Sequence, residues 1–405
     1  MSPQQQPNAE PSPGAPAARA PQRLSEDART LKKLDINYRR NKQQDHTSLL
    51  DQAAKDFSWE AAREHLWCPE DFALMHGTPL WDQATADQRR VLNQLYWVAY
   101  YSQIISAEIA TIFFNQTSAA GLYGVEDFRV VCDTLDLEST QERAHINAFK
   151  TVSEATEQAL FGERVFTYPM RTPFAETMIF TDTGPLRAWW KRLQLRTYTL
   201  LSSGNAFIAC QYFTVRGVRT LSGKLIQHQL SAAHTKHPTP EASALPAKIS
   251  YYHFMDESYH FNSSNIISHD ILRCLPAPTP FERQVANMTL AGCQKEHGRF
   301  SIAVRGIFWH DPALFGAVEK VLRSPTFGLS QREARELMRR CFCEDNDAVQ
   351  AAAATHKTAL DSYQQYLADL EYVSAHNKEL RTMRKASVEA YLATNRRAFA
   401  RYASA

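Results

Sequence analysis

Two pairs of the form E-x-x-H stand out in this chain: Glu142 with His145, and Glu257 with His260. On an α-helix each residue advances about 100°, so positions i and i+3 share a face, and each pair points a carboxylate and an imidazole the same way. His253 joins the second pair. With His253 at zero, Glu257 falls at about 40° and His260 at about −20°, inside one stripe, whereas His269 falls at about 160°, on the far side. Asp256, at about −60°, borders the stripe and can support a ligand from behind. A single E-x-x-H is usually a solvated pair on a helix surface. Two of them, a third His in register and a lone Glu inside an apolar helix form a rarer combination. Two helices that each carry Glu-x-x-His, with a Glu from each of two further helices, can hold two divalent ions inside a four-helix bundle. Carboxylates neutralise the ions, imidazoles complete the coordination, and open positions admit dioxygen.

The elements that must position these residues follow from the same pattern. Residues 92–117 are apolar around most of their circumference, with Glu108 near the centre. Such a helix can be the buried centre of a bundle, and its lone carboxylate then needs a partner, because burying an isolated charge is costly. Residues 126–160 read as a second long helix. A third, over 185–218, contains no Asp or Glu, and a fourth covers 249–275 and stops at the Pro-Ala-Pro-Thr-Pro run of 276–280. Residues 161–184 read as a connection. Residues 222–248, with Gly223, Pro238, Pro240 and Pro246, read as an irregular excursion whose His228, His234 and His237 are solvated. Residues 281–323 are helical with breaks, and 329–343, 345–375 and 377–402 are further helices. The expected fold is all-α, a ferritin-like four-helix-bundle core with additional N- and C-terminal helices.

The chain has 405 residues, enough for a large core without disulfides or a structural metal. Residues 1–24 hold six prolines and almost no large apolar side chain, which reads as a disordered tail. Residues 25–325 then form the bundle domain and 326–405 a C-terminal helical extension. Lys+Arg 45 against Asp+Glu 43 argues against a nucleic-acid binder, which usually carries a basic excess. Seven cysteines without a C-x-x-C pair fit reduced thiols, and the N-terminal residues lack an apolar core of the kind a signal peptide needs, so a cytoplasmic protein without a membrane partner is expected.

The string His253-Phe-Met-Asp-Glu257-Ser-Tyr-His260, preceded by Glu142-Arg-Ala-His145 and by the single Glu108, resembles the p-aminobenzoate N-oxygenases, the AurF-like proteins, over residues 90–310. The resemblance implies Glu108, Glu142, His145, His253, Glu257 and His260 as metal ligands, with no catalytic residue beyond them. It also implies two iron ions, with manganese as the alternative, and dioxygen and an external electron donor, a ferredoxin or reductase. The substrate would be a small-molecule amine, oxidised to a hydroxylamine, nitroso or nitro compound in a secondary-metabolite pathway; a homodimer is compatible. That family places a further Glu on its third helix, where this chain offers Gln211 as the nearest polar candidate. Tyr101 and Phe149 are expected to line the pocket. Arg299 and Arg305 could hold a substrate carboxylate or make structural ion pairs. A desaturase or hydroxylase built on the same ligands, and a non-catalytic ferritin-like scaffold, stay open as alternatives.

Overall fold

The computed structural model describes residues 23–166, 204–305 and 310–404, with isolated positions between 186 and 202. Residues 1–22 of the expected tail, and residues 167–184 of the expected connection, lie outside them. Leu24, counted with the tail, is buried against Leu122 and Val131. Among the described residues the chain is all-helical.

Numbered over the described residues, α1 is Ala28–Gln43, α2 Thr47–Lys55, α3 Trp59–Ala62 and α4 Pro79–Gln83. The long helix α5, Ala86–Leu122, starts at Thr85, whose side chain accepts from Gln88 N while the Gln88 side chain returns to Thr85 N. This reciprocal cap satisfies two donors that a helix start leaves over. Helix α6, Arg129–Phe161, ends where Gly162 turns to φ 69°, a conformation that costs glycine little.

Helix α7 is Ala206–Thr235 and α8 is Leu245–His269. The expected break at 222 is absent: α7 runs through Gly223, and His228 and His234 lie on it. A helix-interior glycine costs about 1 kcal/mol relative to alanine, which packing along α8 offsets. The turn falls instead at 236–244, and Pro246 sits in the first turn of α8, where its missing N–H breaks no bond.

α5 lies along α6 and α7 along α8, with α5 also touching α7, while α1 and α2 pack on α6 and α8. Beyond them come α9, Pro280–His297; α10, Phe315–Arg323; α11, Gln331–Cys343; α12, Asp347–Leu367; α13, Ala375–Lys378; and α14, Val388–Ala403. One buried cluster joins Leu50, Trp97, Phe149, Val318, Phe342 and Phe399, so residues on both sides of position 325 share a core. Helix α12 packs on α7. Its Tyr366 hydroxyl bonds Ser268 Oγ at 2.6 Å and lies where a Cβ on Gly217 would come within 2.1 Å of it. No described helix is long and apolar enough to cross a membrane.

Candidate metal centre

Three helices bring the six acidic and imidazole side chains together: Glu108 from α5, Glu142 and His145 from α6, and His253, Glu257 and His260 from α8. Glu108, His145, His253 and Glu257 each offer one donor atom within 4.8 Å of the others, and Glu142, Glu257 and His260 form a second such group. Glu257 is common to both. All but Glu257 are buried, and its side chain is only 12% exposed.

The atoms fit metal ions better than they fit each other. Both carboxylate oxygens of Glu108 and both ring nitrogens of His253 are buried without a hydrogen-bond partner, although His253 Nε2 lies 3.1 Å from Glu108 Oε1. Lone pairs that converge without bonding one another mark a point where a cation satisfies them, and oxygen and imidazole donors suit iron or manganese. Burial raises the Glu108 pKa, the more so because Glu142 is near. Burial would also raise Glu142, but His260 and His145 hold it well below the usual carboxylate range. Burial pushes the imidazoles down, yet Glu257 and Glu142 lift His260 to about 10, and Asp256, Glu108 and Glu142 lift His145 well above its ordinary value. Positive charge on His145 and His260 is thus favoured by the same carboxylates that would favour a cation more strongly.

Two further side chains fix the rings. Asp256 Oδ2 lies 3.2 Å from His145 Nε2, and Asp256 Oδ1 lies 2.8 Å from His46 Nδ1 and accepts from the His46 backbone N–H at 3.2 Å. Burial opposes its charge, but these bonds bring its pKa down to about 2. Gln141 Oε1 accepts from His260 Nε2 at 2.8 Å and is itself held by Asn41 on α1. The Nδ1 atoms therefore face inward. His145 Nδ1 is 3.3 Å from Glu142 Oε2, and His260 Nδ1 is 2.8 Å from Glu257 Oε1. Bonding the outer nitrogen selects the tautomer that leaves the inner one free to ligate. The residue just before each Glu crosses to the other pair: Gln141 serves His260, and Asp256 serves His145. Only Asp256 stands out from spacing. Gln141 has a sequence signal too, its matching position before Glu142.

Helix α7 sends in a cation rather than a carboxylate. Arg216 Nη1 bonds Glu138 Oε2 at 2.6 Å, and Nη2 lies 3.5 Å from Glu142 Oε1. Glu138 also accepts from Ser263 Oγ. Burial works against the guanidinium charge, but Glu138 and Glu142 raise its pKa above the ordinary value. Gln211 lies five residues earlier, about 140° away around the helix. Its Oε1 is buried without a partner, and among the described residues no hydrogen bond or ion pair joins it to the six. Tyr101 stacks on Phe149 at 4.1 Å, and both rings pack edge-on to His253, at 5.7 and 4.9 Å. They form an apolar wall beside the site. Arg305 pairs with Asp71 at 2.8 Å and Arg299 with Glu296 at 3.5 Å. Both line a separate cavity of about 50 Å³ beside α12.

A family model described as acyl halogenase CylC-like matches residues 29–403. No curated protein and no solved structure matches the chain. The match corrects the resemblance to the p-aminobenzoate N-oxygenases. That resemblance rests on ligand strings, which specify how metals are held and not which atom of a substrate is oxidised. The family match spans nearly the whole chain. Amine N-oxygenation, and the di-iron N-oxygenase label, are therefore withdrawn, as are the desaturase, hydroxylase and non-catalytic alternatives. With the match covering its core and its C-terminal helices alike, this chain belongs to the CylC-like acyl halogenase family.

Proposed function

We propose that the protein replaces a hydrogen on the carbon chain of a fatty acyl substrate with a halogen, and that it does so at the buried Glu–His cluster. Membership in a halogenase family makes it an enzyme. The observation that carries the assignment of the site is the convergence of unpartnered, buried Glu108 and His253 atoms with four further donors. Glu108, Glu142, Glu257, His145, His253 and His260 would hold a pair of iron ions, or manganese, with Glu257 common to both positions. A redox metal with dioxygen supplies the oxidising power needed to break a carbon–hydrogen bond and make a carbon–halogen bond.

The protein residues do the rest. Asp256 and Gln141 hold the His145 and His260 rings in the ligating orientation. Arg216 pairs with Glu138 and reaches toward Glu142. Trp97, Tyr101 and Phe149 exclude water beside His253. Exchanging hydrogen for halide on carbon releases an electron pair and a proton. Dioxygen takes up more electrons than that, so an external donor, a ferredoxin or reductase, supplies the remainder.

The test is turnover of straight-chain fatty acids and their thioesters by ferrous-loaded protein with chloride, dioxygen and a chemical reductant, read by mass spectrometry. The expected product carries the chlorine isotope pattern, changes to the bromine pattern when bromide replaces chloride, and is lost in Glu108→Ala. Hydroxylated product alone, with chloride in excess, would overturn the assignment.

A further inference from the structure

We propose that Gly223 on α7 is the halide-binding position of the metal centre. Where a two-metal bundle takes a carboxylate from its third helix, this chain has a glycine with open space around it, which leaves room for chloride or bromide. The inference rests on the halogenase reading given above.

Three observations locate the position. The first is the helix face. With Arg216 at zero, Gly223 falls at about −20° and Gln227 at about 20°, in one stripe of α7. Arg216, at one end of the stripe, reaches Glu142, and Gln227, at the other, approaches the Tyr100 hydroxyl. The second is level. Helix α7 runs antiparallel to α5: Arg216 bonds Asn115 at 3.4 Å, and Gln227 comes near Tyr100. Glu108 lies midway between Asn115 and Tyr100, and Gly223 lies between Arg216 and Gln227. On the α8 side, the neighbouring Lys224 places its Nζ 4.2 Å from the ring of Phe261, next in sequence to His260. The third is space. Gly223 is buried, yet a Cβ added there would meet nothing within 4 Å.

Backbone geometry gives no other reason for a glycine. Gly223 is not among the positive-φ residues, and nothing approaches it closely, in contrast to Gly217 under Tyr366. A glycine inside a helix costs about 1 kcal/mol relative to alanine, so the chain gives up stability for the vacancy. The donor inventory agrees. α7 has no Asp or Glu over Ala206–Thr235, so the cluster holds three carboxylates, and Arg216 adds positive charge that Glu138 balances. A monovalent anion bound there would add negative charge beside two divalent ions. A carboxylate at position 223 would take both the charge and the coordination position. The Tyr100 hydroxyl, which Gln227 approaches one turn beyond Gly223, is a polar group on the same side.

The experiment uses the full chain loaded anaerobically with cobalt(II), whose visible spectrum reports its ligands, and titrates chloride and bromide. The wild type should show a saturable spectral change that differs between the two halides. Gly223→Glu should keep cobalt and raise the apparent halide dissociation constant by about tenfold or more, in line with the scale of other changes made next to a bound metal. Gly223→Ala, whose methyl has room, should fold and bind halide more weakly than the wild type. Gln211→Leu should respond as the wild type does. Cobalt binding with a spectrum indifferent to both halides, or an unaltered response in Gly223→Ala and Gly223→Glu, overturns the halide position and leaves the metal site standing. Failure of the wild type to bind cobalt overturns both.

Discussion

His145 and His260 are held protonated by the carboxylates around them until a metal displaces those protons. His260, with a pKa of about 10, and His145, also raised, both carry charge at pH 7, whereas ligation needs neutral imidazole. Loading the site at pH 7 should therefore release roughly two protons per chain, measured by calorimetry in buffers of different ionisation enthalpy. Because lower pH strengthens the competing protons, affinity should fall as pH falls. The ring supports make a second prediction at this scale. Asp256→Asn and Gln141→Leu should each weaken metal binding by about 10–100-fold, read by competition with a chelator, with the helical content intact. The six ligand candidates are legible in the sequence because a 3.6-residue period projects them onto single faces. The supports are less so. Gln141 looks like any polar residue of an amphipathic helix until α8 is laid beside it, and Asn41 and His46 arrive from helices with no local sign of the site.

Helix α7 is the element whose sequence misleads most. Gly223 and the prolines after it suggest a break at 222, yet the helix continues through Gly223 as it does through Gly217, because a propensity cost of about 1 kcal/mol each is small against burial along α8 and α12. The two glycines serve different ends. Gly217 makes room for Tyr366, so Gly217→Ala should cost about 1–3 kcal/mol through overpacking, seen as a lower urea midpoint with unchanged metal content. Gly223 has open space, so alanine there should cost nothing by sterics. The absence of acid in this helix is plain in the sequence, but Gln211 draws the eye as the polar residue of an apolar run. Only the register against α5 and α8 moves attention to position 223.

At the scale of the whole molecule, the long helices and the C-terminal ones close over one core. Val318, Phe342 and Phe399 belong to the same buried cluster as Trp97 and Phe149, and the family match runs to residue 403. A fragment of residues 25–325 should therefore lose the sharp thermal transition of the full chain, measured by calorimetry, because it exposes the partners of α11 and α14. The all-α class is legible from composition and long apolar-periodic segments. The reaction is not, because a Glu–His ligand set is shared by enzymes that oxidise nitrogen and by those that oxidise carbon. The direct test of the account is iron content after anaerobic ferrous loading and desalting, in the wild type, Glu108→Ala and His260→Ala. The account predicts stoichiometric iron in the wild type and its loss in both variants. A wild type that retains none, or variants that retain as much as the wild type, would contradict it.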